Sequence, residues 1–177
     1  MRNQEGGYTL IETLAVMLLT GMLLALTASG LRHYWFVQSL ESAKGEVVSQ
    51  LRQLQEQVVS ETHPTVFGAR FRIGSSDWGV VEYDPVTTAS HPSTTCTQVR
   101  SNKFGSGVQV SAASFAAPSD SAMNTLCKAI PGASADKFVF FYARGSATSG
   151  SVTVTQPQLS RSKTITVTPI TGRVESS

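Results

Sequence analysis

Few side chains in this sequence are placed to do chemistry, and the first is conspicuous for its surroundings. Glu12 is the one charged residue of GGYTLIETLAVMLLTGMLLALTASGL, residues 6–31, and the next charge is Arg32. A carboxylate among apolar groups costs several kcal/mol unless paired, so Glu12 calls for a partner of opposite charge. Cys96 and Cys127 form the second candidate group. In a domain that follows a membrane-type segment they suggest a disulfide made outside the cytoplasm. Its loop of about 30 residues would contribute on the order of 3 kcal/mol; two unpaired buried thiols would contribute nothing of the kind. The third group is cationic: Arg161, Lys163 and Arg173 lie in the C-terminal part. Such groups on strand ends can hold phosphates without reading base sequence, or can simply solubilise a hairpin.

Other chemistry lacks its residues. His33, His63 and His91 are far apart, none forms H-x-x-x-H, and the cysteines lack metal-ligand spacing. Neither a phosphate-binding loop nor a G-x-S-x-G elbow is present. The chain is therefore not expected to be an enzyme or to hold a metal or cofactor. Net charge is +2, but residues 98–177 carry eight Lys/Arg against three Asp/Glu, a local +5 that suits a polyanion or a solvated surface.

The elements that must position these residues follow from the apolar pattern. Residues 13–31 are free of charge, close to the ~20 residues that cross a bilayer core. A cleaved secretory signal has its small residues after the apolar run. Here Gly6 and Gly7 precede it, so cleavage would remove MRNQEGG and keep the helix. Beyond Arg32, apolar residues recur at Phe36, Leu40, Ala43, Val47, Leu51, Leu54 and Val58, a helical stripe expected to pack on a globular head. Pro64 should end the helix. From Thr9 to Glu61 it would run roughly 80 Å, with Gly21, Gly30 and Gly45 as weak points.

After Pro64 the period becomes two. In VFGARFRI, Phe67, Ala69, Phe71 and Ile73 should face one side, and Arg70 and Arg72 the other. GSSD (74–77) reads as a turn and WGVVEY (78–83) as a strand. Residues 84–98 read as a loop with Cys96 near its end. VQVSA (108–112), KFVFFYA (137–143), SVTVTQ (151–156) and KTITVTP (163–169) read as strands, and AMNTLCKAI as a short helix. This makes five to seven strands, largely antiparallel, behind one long helix. The fold class is α+β: a long N-terminal helix packed on an antiparallel β-sheet head. Residues 1–7 would be a leader, 8–31 the hydrophobic helix, 32–63 its amphipathic continuation and 64–177 the head.

Gly7, Tyr8, Thr9, Leu10, Ile11 and Glu12, ahead of an apolar helix at the chain start, resemble the class III signal of type IV prepilins. Tyr8 stands where phenylalanine is usual. The resemblance implies the pilin fold, and it implies that a prepilin peptidase cuts between Gly7 and Tyr8 and methylates the Tyr8 amine. It also implies a single-pass stage in the cytoplasmic membrane with the head outside, followed by assembly with other pilins or pseudopilins into a filament at the cell surface. Glu12 would then pair with the terminal amine of a neighbouring subunit and set the axial register. FVFFYARG, GSVTVT and KTITVTPITGRV are similar to the end of GspH/FimT-type minor pilins, with Thr171, Gly172, Arg173 and Val174 at the closing motif. That subfamily includes DNA receptors for natural transformation, which makes Arg161, Lys163 and Arg173 the candidates for DNA. Those receptors often carry a second arginine where this chain has Glu175. For the chain as a whole, a type II secretion pseudopilin and, outside this class, a plain membrane-anchored binding domain are the alternatives.

Overall fold

The apolar run and the amphipathic stripe join into one helix, α1, Leu10–Ser60, 51 residues long. The computed structural model describes residues 9–61, 65–85 and 94–177, and of residues 28 and 29 the backbone alone. At 1.5 Å per residue α1 is about 76 Å long. Thr20 and Thr27 do not interrupt it, because their hydroxyls donate back to the carbonyls of Val16 (2.7 Å) and Leu23 (3.1 Å). Gly21, Gly30 and Gly45 do not interrupt it either, and a Cβ at any of them would meet nothing within 4 Å. The helix ends at Glu61, which is extended and whose N–H still reaches the Gln57 carbonyl. The expected stop at Pro64 lies outside the described residues.

The head comprises β1 (Val66–Phe71), β2 (Asp77–Asp84), β3 (Thr95–Lys103), β4 (Gln109–Phe115), α2 (Ser121–Lys128), β5 (Lys137–Phe141), β6 (Gly150–Gln156), a 3-10 turn (Pro157–Leu159), β7 (Arg161–Val167) and β8 (Val174–Ser176). The expected class holds, a long helix on antiparallel strands, but there are eight strands among the described residues and they form two sheets. One has the order β3-β2-β1-β5 and the other β4-β6-β7-β8. Every pairing is antiparallel. β3 begins at Thr95, so the end of the expected 84–98 loop is strand, recruited by pairing with β2. Bulges interrupt the register at Val99 and Ser111, which the ladders skip.

One core cluster draws on α1 and both sheets. Leu40, Ala43, Val47, Leu51, Leu54 and Val58 of the stripe are buried against Phe67, Ala69 and Phe71 of β1 and against Val152, Val154, Ile165 and Val167 of the second sheet. Phe36 is half-buried, because the head ends near that turn. Phe71 stacks on Trp78, with ring centroids 5.9 Å apart, and Trp78 on Phe104 at 5.8 Å. Ile73 departs from the expected inward row and is 46% exposed. β1 stops at Phe71, and Gly74, at φ +77°, turns the chain away.

The outer face of the first sheet carries a second cluster, with Val66, Val81, Tyr83, Phe138 and Phe140 beneath Met123 and Cys127 of α2. The expected short helix is therefore present, though it starts at Ser121 and ends at Lys128. Asp120 caps it by accepting the Ala122 N–H at 2.9 Å. β1 is buried along its whole length because both of its faces are covered. Gly68 is required there: a Cβ would lie 2.6 Å from the Val139 carbonyl oxygen of β5.

Tyr83 donates its hydroxyl to Asp120 at 2.8 Å. Burial first, and then Asp120, pushes the phenol up to about 12, above its ordinary 10.0. A raised folded value means that this contribution to stability is full below pH 10 and is lost as pH rises through about 12. The unfolding midpoint should therefore fall across that window, and Tyr83→Phe should remove this alkaline step. An unchanged alkaline profile in the variant would assign the fall to other groups.

Candidate functional site

The three candidate groups meet different fates in the structure. Cys96 on β3 and Cys127 on α2 form a disulfide, with Cα atoms 5.0 Å apart and a sequence separation of 31. It ties the outer helix to the edge strand of the first sheet. Cys96→Ser/Cys127→Ser is expected to lower head stability by about 3 kcal/mol, read as a lower denaturant midpoint. A shift under about 1 kcal/mol would mean that the second cluster holds α2 by itself.

Glu12 sits in the first turn of α1, where its backbone N–H donates to the Thr9 carbonyl at 3.0 Å. Its side chain is exposed, as are those of the apolar residues around it: Leu10 (81%), Ile11 (77%) and Met17 (75%) lie wholly outside the head. Gly7 and Tyr8, the expected cleavage and methylation positions, lie outside the described residues. The helix is long and apolar enough here to cross a membrane by length and composition, and none of that stretch is buried within the chain. Carboxylates near a helix N-terminus are favoured by the helix dipole. Among the described residues, however, Glu12 has no cationic partner in its own chain.

The cations are not gathered into one patch. Arg161 begins β7 opposite Gln156, and Arg173 follows the turn into β8, beside Val174, which pairs with Val167 at the far end of β7. Six residue steps along a strand separate these ends, about 20 Å. Lys163 makes an ion pair with Glu41 of α1 at 3.2 Å. Glu41 is held below the usual carboxylate range by Lys44 foremost and by Lys163, against the opposing effect of burial. Arg173 pairs with Glu175 at 2.9 Å. Arg161 is exposed and has no such partner among the described residues. The Thr171–Val174 motif serves the fold. Gln55 of α1 donates to the Thr171 carbonyl at 2.7 Å and Arg52 to that of Val174 at 3.3 Å. Gly172 takes φ +60°, and a Cβ there would lie 2.7 Å from the Gly145 carbonyl oxygen.

One constellation is invisible in the sequence. Asp136 is 2% exposed and faces two arginines, Arg70 of β1 and Arg72 just beyond its end. Arg72 Nε lies 3.1 Å from Oδ1, Arg70 Nη1 lies 3.7 Å from Oδ2, and Arg72 Nη2 donates to the Gly132 carbonyl at 2.6 Å. Asp136, first of all by its hydrogen bond, raises the Arg72 value further. The cluster offers neither nucleophile nor proton donor to an open cleft, so its effect is to fasten the 132–136 turn to β1. The alternation that sets Arg70 and Arg72 opposite the core row is the available signal; their partner, more than 60 residues away, has none. Among the described residues, no group of His, Cys, Asp and Glu could hold a metal ion. His33 is exposed on α1, and His63 and His91 lie outside the described residues.

The features that matter are thus those of a helix-anchored head: a rod half buried in a disulfide-stapled β domain and half bare, with one carboxylate in its first turn. Comparison with protein-family models gives no match, and comparison with curated proteins gives none. Among solved structures the chain is similar to the type IV minor pilin FimU of Pseudomonas aeruginosa, at 13% identity and a TM-score of 0.47, over 79% of this chain and 89% of that one. A likeness of that degree assigns no residue a role.

Proposed function

We propose that this chain is a structural subunit, of the minor pilin or pseudopilin kind, in a type IV pilus-like filament. The observation that carries the reading is α1 itself. Along its second half one face is buried in the head, while its first half is apolar, exposed and left uncovered by the head. Water does not tolerate such a surface; a bilayer does, and so does a bundle of like helices. In this reading a prepilin peptidase cuts between Gly7 and Tyr8 and methylates the Tyr8 amine. The chain waits as a single-pass protein of the cytoplasmic membrane with its head outside, then joins a filament with other pilins or pseudopilins. Glu12 pairs with the amine of a neighbour. Arg161, Lys163 and Arg173 as a DNA-binding set find no favouring observation, since two are paired with carboxylates and the third lies about 20 Å from Arg173.

The test is the N-terminal mass of the protein recovered from sheared filaments of its native host. A chain beginning at N-methylated Tyr8 is expected. An intact MRNQEGG leader, with the protein absent from filaments, would make it a membrane-anchored domain and end the assembly account.

A further inference from the structure

We propose that the end of the head nearest the bare half of α1 is a bilayer-seating surface. In it Tyr34 and Trp35 lie at the headgroup boundary and Arg161 meets lipid phosphates. The inference rests on the membrane-inserted stage of the reading above. From Leu10 to Leu31 the helix rises about 33 Å, which matches a hydrocarbon core of about 30 Å. Arg32 follows, and then Tyr34 and Trp35, each 62% exposed. Large aromatic rings with a polar edge favour the level where the acyl chains meet the headgroups.

The head begins at that level. Trp35 faces Gly105 and Ser106 across a groove of about 270 Å³. Gln156, fully buried, holds this end rigid by donating to the Ser106 carbonyl at 2.7 Å and to Ser39 Oγ of α1 at 3.3 Å. Arg161 lines a second groove with Val37, Leu40 and Glu41, which places it about 8–14 Å beyond Arg32 along the helix axis. The headgroup layer is about 5–8 Å deep on each side, and an arginine stem is long enough to reach back into it. The carboxylate that shares this groove, Glu41, is already held by Lys44 and Lys163. Glu46 lines the Trp35 groove at its far end, about 21 Å beyond Arg32 along the helix axis. Among the described residues, Arg161 is thus an unpaired cation on the rim that the helix brings to the membrane surface.

The two tryptophans make the test direct, because Trp78 is 1% exposed and Trp35 is 62% exposed. The full chain is reconstituted into vesicles of phosphatidylcholine and phosphatidylglycerol. Flotation with the vesicles after an alkaline wash checks insertion; a chain that stays behind ends both the membrane reading and this inference. In the inserted protein, lipids brominated near the headgroup should quench Trp35 about twofold more than lipids brominated near the chain end. Trp35→Phe supplies the Trp78 background. Equal quenching, stronger deep quenching or none, in a chain that floats, overturns the seating and leaves insertion standing. Hydrogen exchange of residues 104–107 and 158–162 should be slower on anionic than on neutral vesicles, and Arg161→Ala should weaken that protection about fivefold. Protection unchanged in Arg161→Ala overturns the role of Arg161. If that variant instead loses affinity for a random-sequence DNA duplex while its exchange on vesicles is unaltered, the cation serves nucleic acid and the bilayer assignment falls.

Discussion

Asp136→Ala is expected to destabilise the head by about 3–5 kcal/mol, the cost of removing one partner from a buried ion pair. Asp136 is 2% exposed and Arg70 is 8% exposed. Without the carboxylate, the Arg70 guanidinium remains inside with no counter-charge, whereas Arg72, whose side chain is 37% exposed, can turn to water. The damage should therefore come through Arg70. Adding Arg70→Met to Asp136→Ala should recover much of the loss, because replacing both members of a buried pair by apolar groups is often close to neutral. Denaturant unfolding of the full chain in detergent, followed by the fluorescence of buried Trp78, measures both variants. No change in midpoint for Asp136→Ala would show that Arg70 reaches water or another acceptor, and the cluster would lose its structural role.

Glu12→Ala should leave leader removal and membrane insertion intact and lower incorporation into filaments at least tenfold, equivalent to about 1.4 kcal/mol per subunit. In the mature chain proposed above, beginning at Tyr8, Glu12 would be four residues from the new amine, one helical turn. In a bundle of apolar helices a misplaced carboxylate stays unpaired at a cost of several kcal/mol, so the wrong axial registers are penalised. Glu12→Asp keeps the charge on a shorter stem and should fall between the two. Quantifying the subunit in sheared filaments against the membrane fraction decides the matter. Full incorporation of Glu12→Ala would remove the register role.

How much of the fold is legible in the sequence depends on how local its cause is. The stripe from Leu40 to Val58 is a period on one helix, and it is buried as a period should be. Phe67, Ala69 and Phe71 alternate on one strand, and they too face the core. β3 reads as loop at its start because TCTQVRSNK is polar: it is an edge strand, bulged at Val99, and its burial comes from α2 and the disulfide rather than from alternation. β8 has three residues and exists by pairing with β7. The division into two sheets is a decision among strands far apart in sequence, and no single segment records it. The same holds for the cations. By sequence Lys163 resembles a phosphate ligand on a hairpin; in the fold, Glu41 from the other end of the chain lies beside it.

The position of β6, β7 and β8 over α1 also bears on the order of events during synthesis. The stripe is complete once Val58 has been made, yet the strands that close the second sheet over it end at Ser176. At 5–20 residues per second the intervening chain takes roughly 6–24 s to emerge. Throughout that interval Leu51, Leu54 and Val58 have no cover from those strands. In a nascent head of this design the apolar ridge of the helix is made first and is covered by the second sheet last.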